Sequence, residues 1–319
     1  MNEIKIENKK IGIIIPAFNE EKTIKDVILG FHTALPSAEL CVVDNASTDQ
    51  TFKIAQETLQ SLHVPYQIIS EEMRGKANAL RRAFIELNWD IYIMVDADLT
   101  YDPSDIEKLL EPILTNKADI VVGDRLSNDI YREQNDRRFH EFGNKLIRKI
   151  INLIFHSRLN DIFSGYRVLN KRFAKNMPIL SNNFEVETEM TISALIYKFR
   201  IIEIPINYKK RITGSFSKLN TFKDGVRIFN VLLMIIIDYK PLLFFGSFGF
   251  ILLMLSLLIG APVINEFIIT RYVTHVPLAI LATGTMIISL LFFTIGMILN
   301  VISRSNLRTM LLQIQKADR

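Results

Sequence analysis

Two aspartates one residue apart, Asp96 and Asp98, stand where an apolar run, Ile91 to Val95, gives way to a polar loop. Carboxylates at i and i+2 on such a turn can converge on one hard divalent cation, because Mg2+ prefers oxygen ligands and usually shares itself with substrate phosphates. Two earlier apolar runs end in loops of similar character, Pro16-Ala17-Phe18-Asn19-Glu20 and Asp44-Asn45-Ala46-Ser47-Thr48-Asp49. Three polar, acid-containing loops of this kind form a candidate site for a metal-associated phosphate ligand. Asp102-Pro103-Ser104-Asp105 reads differently, as an N-cap, a proline at the first helical position and an acid in the first turn. Cations for phosphate oxygens are Arg125, Arg211, Lys218 and either Arg138 or its neighbour Arg137. Arginine suits that task because its planar fork meets phosphate oxygens in pairs.

Positioning these loops requires strands. Ile11 to Ile15 is a β-branched run broken by Pro16, with a helical pattern after it to Leu29; Leu40 to Val43, Tyr66 to Ile69 and Ile91 to Val95 repeat the alternation. Strands alternating with helices predict an α/β domain with a mostly parallel, Rossmann-like sheet, in which ligands bind beyond the carboxyl ends of the strands. A further strand at Ile120 to Gly123 precedes Asp124-Arg125. A basic helical stretch then runs from about Arg132 to Phe155, followed by the loop Asp161-Ile162-Phe163-Ser164-Gly165-Tyr166-Arg167, a helix start with Glu185, Glu187 and Glu189, and an edge-like strand at Ile201 to Ile206. The glycine of that loop permits close backbone approach to a ligand. The three glutamates cannot share one direction on a helix; helix-start acids explain most of them, and one is available to face a ligand.

The 319 residues exceed one ordinary core. No charged residue occurs in 242–264 or in 277–302, and each run approaches or exceeds the roughly 20 residues that cross a bilayer as a helix. Residues 1–215 are therefore expected to form the catalytic domain, 216–240 amphipathic interface helices, 241–302 a two-helix transmembrane hairpin and 303–319 a cytosolic tail. Lys209, Lys210, Arg211, Lys218, Lys223 and Arg227 precede the first span and Arg304, Arg308, Lys316 and Arg319 follow the second, whereas the intervening loop holds only Arg271 against Glu266. That bias predicts a multi-pass protein of the cytoplasmic membrane with the catalytic domain and both termini cytosolic. The polar, lysine-rich start has no signal-peptide core. Cys41, the single cysteine, is expected to pack in a strand, in a reducing compartment. A net charge of +4 is no argument for nucleic acid, and the five histidines show no ligand spacing.

In order and spacing, Ile-Pro-Ala-Phe-Asn-Glu at 15–20, Val-Val-Asp-Asn-Ala-Ser-Thr-Asp at 42–49, Arg-Gly-Lys-Ala-Asn-Ala at 74–79 and Met-Val-Asp-Ala-Asp at 94–98 closely resemble the family 2 glycosyltransferases of GT-A fold. Val-Gly-Asp-Arg at 122–125, the 161–167 loop and the basic segment up to 219 resemble the branch with dolichyl-phosphate mannose synthases and bacterial undecaprenyl-phosphate glycosyltransferases. The resemblance implies a nucleoside-diphosphate sugar held by Pro16, Phe18, Glu20, Val43, Asp44, Asn45, Lys76, Asp96, Ala97, Asp98, Arg211 and Lys218. It implies Mg2+ or Mn2+ on Asp96, Asp98 and Thr100, where many mannose synthases have Gln in place of Thr100. Asn45 stands where the family often has a second acid, so uridine and guanosine donors both remain open. Arg125, Arg138 and Ser164 are expected at the acceptor phosphate, and Asp96, Asp98, Arg125, Arg138 and Arg211 carry the catalysis.

A polyprenyl phosphate acceptor is already anionic, so positioning and charge stabilisation are the protein's task. A single displacement inverts the anomeric centre. Glycolipid or polysaccharide synthesis on a hydroxyl acceptor is the alternative; the processive motif Gln-x-x-Arg-Trp is not met by Trp89, the one tryptophan. A silent sugar-nucleotide binder is expected to have lost a metal carboxylate, and a soluble nucleotidyltransferase needs no spans. Membrane lipid is a partner, and paired spans also allow a homo-oligomer.

Overall fold

The computed structural model describes residues 9–127, 138–179, 181, 186–209, 233–234, 236–238 and 240–317, with backbone alone for 138–142 and 317. The chain divides into two units, Met1–Phe229 and Asn230–Arg319. Most of the expected interface segment 216–240 lies outside the described residues.

The first unit opens as strict alternation. Strand β1 (Ile11–Ala17) leads to α1 (Ile24–Ala34), β2 (Glu39–Asp44) to α2 (Thr51–Ser61), and β3 (Tyr66–Ser70) to α3 (Lys76–Glu86). Next come β4 (Ile91–Met94), a 3-10 turn (Pro103–Asp105), α4 (Ile106–Leu114) and β5 (Ile120–Asp124). Then follow α5 (Arg138–Phe155), β6 (Arg167–Asn170), α6 (Lys171–Asn176), α7 (Val186–Ile196) and β7 (Ile201–Pro205). Among the described residues the strands form one sheet in the order β3-β2-β1-β4-β6-β5-β7, with β6 alone antiparallel to its neighbours. This is the mostly parallel, Rossmann-like GT-A arrangement expected from the sequence.

The unbroken isoleucines of β1 follow from burial on both faces: Ile13, Ile14 and Ile15 are all fully covered. Gly12 in the same strand is required by Trp89, whose ring would lie 2.1 Å from a Cβ there. Both the strand and the fully buried indole would have to shift, so Gly12→Ala is expected to lower stability by about 3 kcal/mol, measurable as a fall in Tm. Cys41 is buried in β2, and burial pushes its thiol up to about 12. The Asp102 carboxylate accepts from Ser104 N at 3.1 Å, capping the turn as its sequence context predicts.

Strand β6 was not expected; the sequence suggested only a loop ending at Arg167. Four residues carry too little pattern to announce a strand, and this one begins with a fully buried arginine. Burial lowers the pKa of that guanidinium. Its nitrogens donate to Ser164 O at 2.8 Å, Ile162 O at 2.9 Å and Thr191 Oγ1 at 3.0 Å, which makes the burial tolerable. Because β6 runs antiparallel, Arg167 pairs beside Met94 of β4 and Val122 of β5. The preceding 161–166 loop is thereby delivered to the carboxyl ends of the parallel strands, where ligands bind in open sheets.

The second unit contains α8 (Pro241–Thr270) and α9 (Val276–Ala317), both long and apolar enough to cross a membrane. The helix α9 runs on through the residues expected as a separate tail; its 42 residues correspond to about 63 Å, twice a hydrocarbon core. Buried Ser256 donates to Ala282 O at 2.8 Å and buried Ser289 to Gly249 O at 2.7 Å, tying the helices together. Leu258, Ile251 and Ile287 are exposed. An apolar exterior of this sort is what lipid covers.

Candidate active site

The three polar loops meet at the ends of β1, β2 and β4. Asn19 N donates to Ser47 Oγ at 3.0 Å, and Thr48 N donates to Asn19 Oδ1 at 2.8 Å, joining the first two. Thr23 Oγ1 donates to Ala97 O at 2.6 Å, joining the first to the third. Each loop contains one residue in the left-handed region, Asn19 (φ 52), Ala46 (φ 57) and Leu99 (φ 61). Such backbone is costly for residues with a Cβ and tends to cluster at functional sites. Leu99 shows its effect directly: the reversal turns Thr100 back so that its N and Oγ1 donate to Asp98 Oδ1 at 3.2 and 2.5 Å. Thr100, expected as a third metal ligand, thus stands against the carboxylate of Asp98.

The two aspartates have different surroundings. Asp98 is buried, whereas the Asp96 side chain is 26% exposed. Lys76, the first residue of α3, contacts both Asp96 and Glu187 with its ammonium. Burial by itself would lower the pKa of Lys76, but the two carboxylates more than reverse this and hold it charged. Gly165 closes the back of this group: a Cβ there would lie 2.7 Å from Asp96 Oδ2 and 2.9 Å from Lys76 Nζ. The loop is pinned at that point by Gly165 N donating to Tyr101 Oη at 2.8 Å. Burial pushes the Tyr101 phenol well up, keeping it neutral, with Arg125, Asp96 and Lys76 all within electrostatic reach.

These residues fit a divalent cation. Asp96 is open, Asp98 is held rigid, and the position already attracts a positive group. Among the described residues no set of three or more His, Cys, Asp or Glu side chains converges on one point. An ion here would therefore draw most of its ligands from a diphosphate and water, the usual habit of Mg2+.

The residues expected at the nucleotide divide sharply. Asp44 is buried, and among the described residues its Oδ1 has no hydrogen-bond partner, while Oδ2 accepts from Ser47 N at 3.3 Å. Asn45 instead serves the chain: Nδ2 donates to Met73 O at 2.7 Å, and Oδ1 accepts from Gly75 N at 2.6 Å. Arg74, carried by that same loop, lies over the Phe18 ring at 5.3 Å. Pro16 and Glu20 are half-buried at the end of β1, and the Val43 side chain is fully buried in the sheet. Ala97 is buried, its carbonyl taken by Thr23.

Among the residues expected at the acceptor phosphate, Arg125 pairs with Asp161, with Nε and Nη2 at 2.7 and 2.9 Å and its own N at 3.1 Å. It also stacks over Tyr208 at 5.4 Å. Glu203 anchors the start of the same loop by accepting the N–H groups of Asn160 and Asp161, both at 2.7 Å. Ser164 is fully buried, and its Oγ has no partner among the described residues. Arg138 is the first residue of α5, with its side chain outside the description; Arg137, Arg211 and Lys218 lie outside the described residues altogether. Of the three glutamates from which the sequence leaves one to face a ligand, Glu187 is the one that meets Lys76, 111 positions away. Tyr101, which precedes the Asp102-Pro103-Ser104-Asp105 motif by one residue, carries no sequence signal for its place beside Gly165.

Burial would raise the Asp161 pKa, but the Arg125 charge and hydrogen bonds outweigh it and hold the carboxyl below the usual range. A depressed folded-state pKa contributes stability above the unfolded value of about 3.9, and that stability disappears as pH falls through the folded value. Asp119, paired with Arg200, shifts the same way. The stability difference between wild type and Asp161→Asn is therefore expected to narrow as pH is lowered from about 6 to about 3, measured by denaturant unfolding.

Residues 12–177 match the family described as Glycosyl transferase family 2. Glycosyltransferase AglJ of Haloferax volcanii is 30% identical over 293 residues, 92% of this chain and 93% of that protein. The UDP-N-acetylglucosamine–dolichyl-phosphate N-acetylglucosaminyltransferase of Methanococcus voltae is 30% identical over 72% of this chain and 96% of its own length. Among solved structures, glucosyl-3-phosphoglycerate synthase from Mycobacterium tuberculosis, in complex with Mn2+ and UDP-glucose, superposes with a TM-score of 0.59 at 20% identity, over 73% of this chain and 80% of that one.

Proposed function

The chain belongs to glycosyl transferase family 2, and on that premise we propose that it moves a hexose-type sugar from a nucleoside-diphosphate sugar to a polyprenyl phosphate at the cytosolic face of a membrane. The observation that carries this reading is the open Asp96 beside the rigid Asp98 at the end of β4, with Gly165 leaving room and Lys76 alongside. A relative named for transfer to dolichyl phosphate and two helices long and apolar enough to cross a bilayer support the lipid acceptor. The basic residues Arg304, Arg308 and Lys316 beyond the second apolar run support a cytosolic end.

Bound Mg2+ or Mn2+ would supply neutralisation of the diphosphate leaving group, held by Asp96 and Asp98. Thr100 keeps the Asp98 carboxylate oriented. The Oδ1 of Asp44, without a partner among the described residues, is available to accept an N–H from the base. Arg125, with Arg138, Arg211 and Lys218, gives the acceptor phosphate a positive surround. The acceptor oxygen is already anionic at neutral pH and needs no general base. Its attack forms a bond to the anomeric carbon as the bond to the diphosphate breaks, and the electron pair leaves with the nucleotide. One such displacement inverts the centre.

Purified full-length protein, supplied with labelled UDP- or GDP-sugars and undecaprenyl phosphate, is expected to yield a labelled lipid phosphate that chelator abolishes. Product formed only on hydroxyl-bearing acceptors would overturn the acceptor assignment.

A further inference from the structure

Lys76 occupies a position that disfavours a cation. It begins α3, where the macrodipole presents positive charge, and its side chain is only 10% exposed. What holds it there is a pair of acids, Asp96 and Glu187. Asp96 is therefore already neutralised before any ion arrives, and Asp98 shares its Oδ1 with Thr100. A divalent ion entering alone would find few protein ligands and a fixed ammonium on the carboxylate it needs. Like charges at such distances in a partly buried site repel strongly. A nucleoside diphosphate removes both obstacles, because it brings oxygen ligands together with negative charge.

We propose that Lys76 is the built-in counter-ion of Asp96, retained by Glu187, and that it makes metal binding conditional on the donor nucleotide. This rests on the metal and donor reading given above. Glu187 is then a positioning residue: it keeps the ammonium in place when Asp96 yields an oxygen to the ion. The arrangement discourages idle metal occupancy and lets metal and donor enter as one coupled event.

Mn2+ binding to the full-length protein in detergent, followed by the electron paramagnetic resonance of free Mn2+, tests this without reference to turnover. Titrations are run with no nucleotide, with UDP and with GDP, allowing for Mn2+ association with the nucleotide in solution. Wild type is expected to bind Mn2+ at least about tenfold more tightly with one of the two nucleotides, a coupling of ordinary size. Lys76→Met is expected to raise nucleotide-free affinity about tenfold and shrink the coupling, whereas Lys76→Arg, which keeps the charge, remains close to wild type. Equal affinity with and without nucleotide in wild type overturns the proposal, whatever the variants do. Unchanged nucleotide-free affinity in a Lys76→Met protein with a cooperative thermal unfolding transition overturns it as well. Failure to bind Mn2+ under every condition overturns the metal reading itself, and this proposal with it.

Discussion

Asp96→Asn is expected to lower kcat/KM by about 10^3-fold, corresponding to about 4 kcal/mol of lost transition-state stabilisation. The substitution is nearly isosteric, and it falls on a side chain that is partly exposed, so the fold is expected to survive. Lys76 retains Glu187 as a partner, which limits the structural damage further. What disappears is the negative charge that holds a cation against the diphosphate. The loss is therefore expected mainly in kcat, with a smaller rise in the donor KM, because the leaving group needs that charge most when its bond is breaking. Steady-state rates with saturating Mn2+ measure it. A loss under tenfold would remove Asp96 from the chemistry.

Gly165→Ala is expected to lower kcat/KM by about 10^2-fold while changing Tm by only a few degrees. The added methyl would stand 2.7 Å from Asp96 Oδ2 and 2.9 Å from Lys76 Nζ. Both atoms are the ends of flexible side chains, so they can move aside without unfolding the protein. Moving them is what costs activity, since displacing a reacting group by about 1 Å can remove two orders of magnitude in rate. Gly165 also donates its N–H to Tyr101, and this bond survives the substitution. Paired measurement of Tm and kcat/KM separates the outcomes: a large fall in Tm with proportionate activity loss would mean the glycine serves packing alone.

How much of this was legible beforehand depended on whether the signal was local. The triple isoleucine before Pro16 needed both sheet faces covered, and β1 is covered on both. Asp102-Pro103-Ser104 announced a cap, and the cap bond is there. The two charge-free runs became α8 and α9, although α9 extends past residue 302 because nothing in the basic tail stops a helix. Contacts between distant parts of the chain were not legible. Lys76 and Glu187 lie 111 positions apart, and only the fold brings them together. Nothing in the sequence reveals that Arg125, expected at a phosphate, is paired bidentately with Asp161, 36 positions away. The bonds of the Asn45 amide to the backbone at Met73 and Gly75 likewise span about thirty positions and leave no local signal. Strand β6 was too short to recognise, yet it is what brings Gly165 to Asp96.

The most direct test of the central claim is the position of a metal ion. Crystals of the protein grown with Mn2+ and either UDP or GDP, measured at the manganese absorption edge, are predicted to show an anomalous peak about 2.0–2.6 Å from carboxylate oxygens of Asp96 or Asp98, in contact with the diphosphate. A nucleotide bound at the ends of β1 and β2 with no such peak, or with the ion held away from both aspartates, would contradict the account.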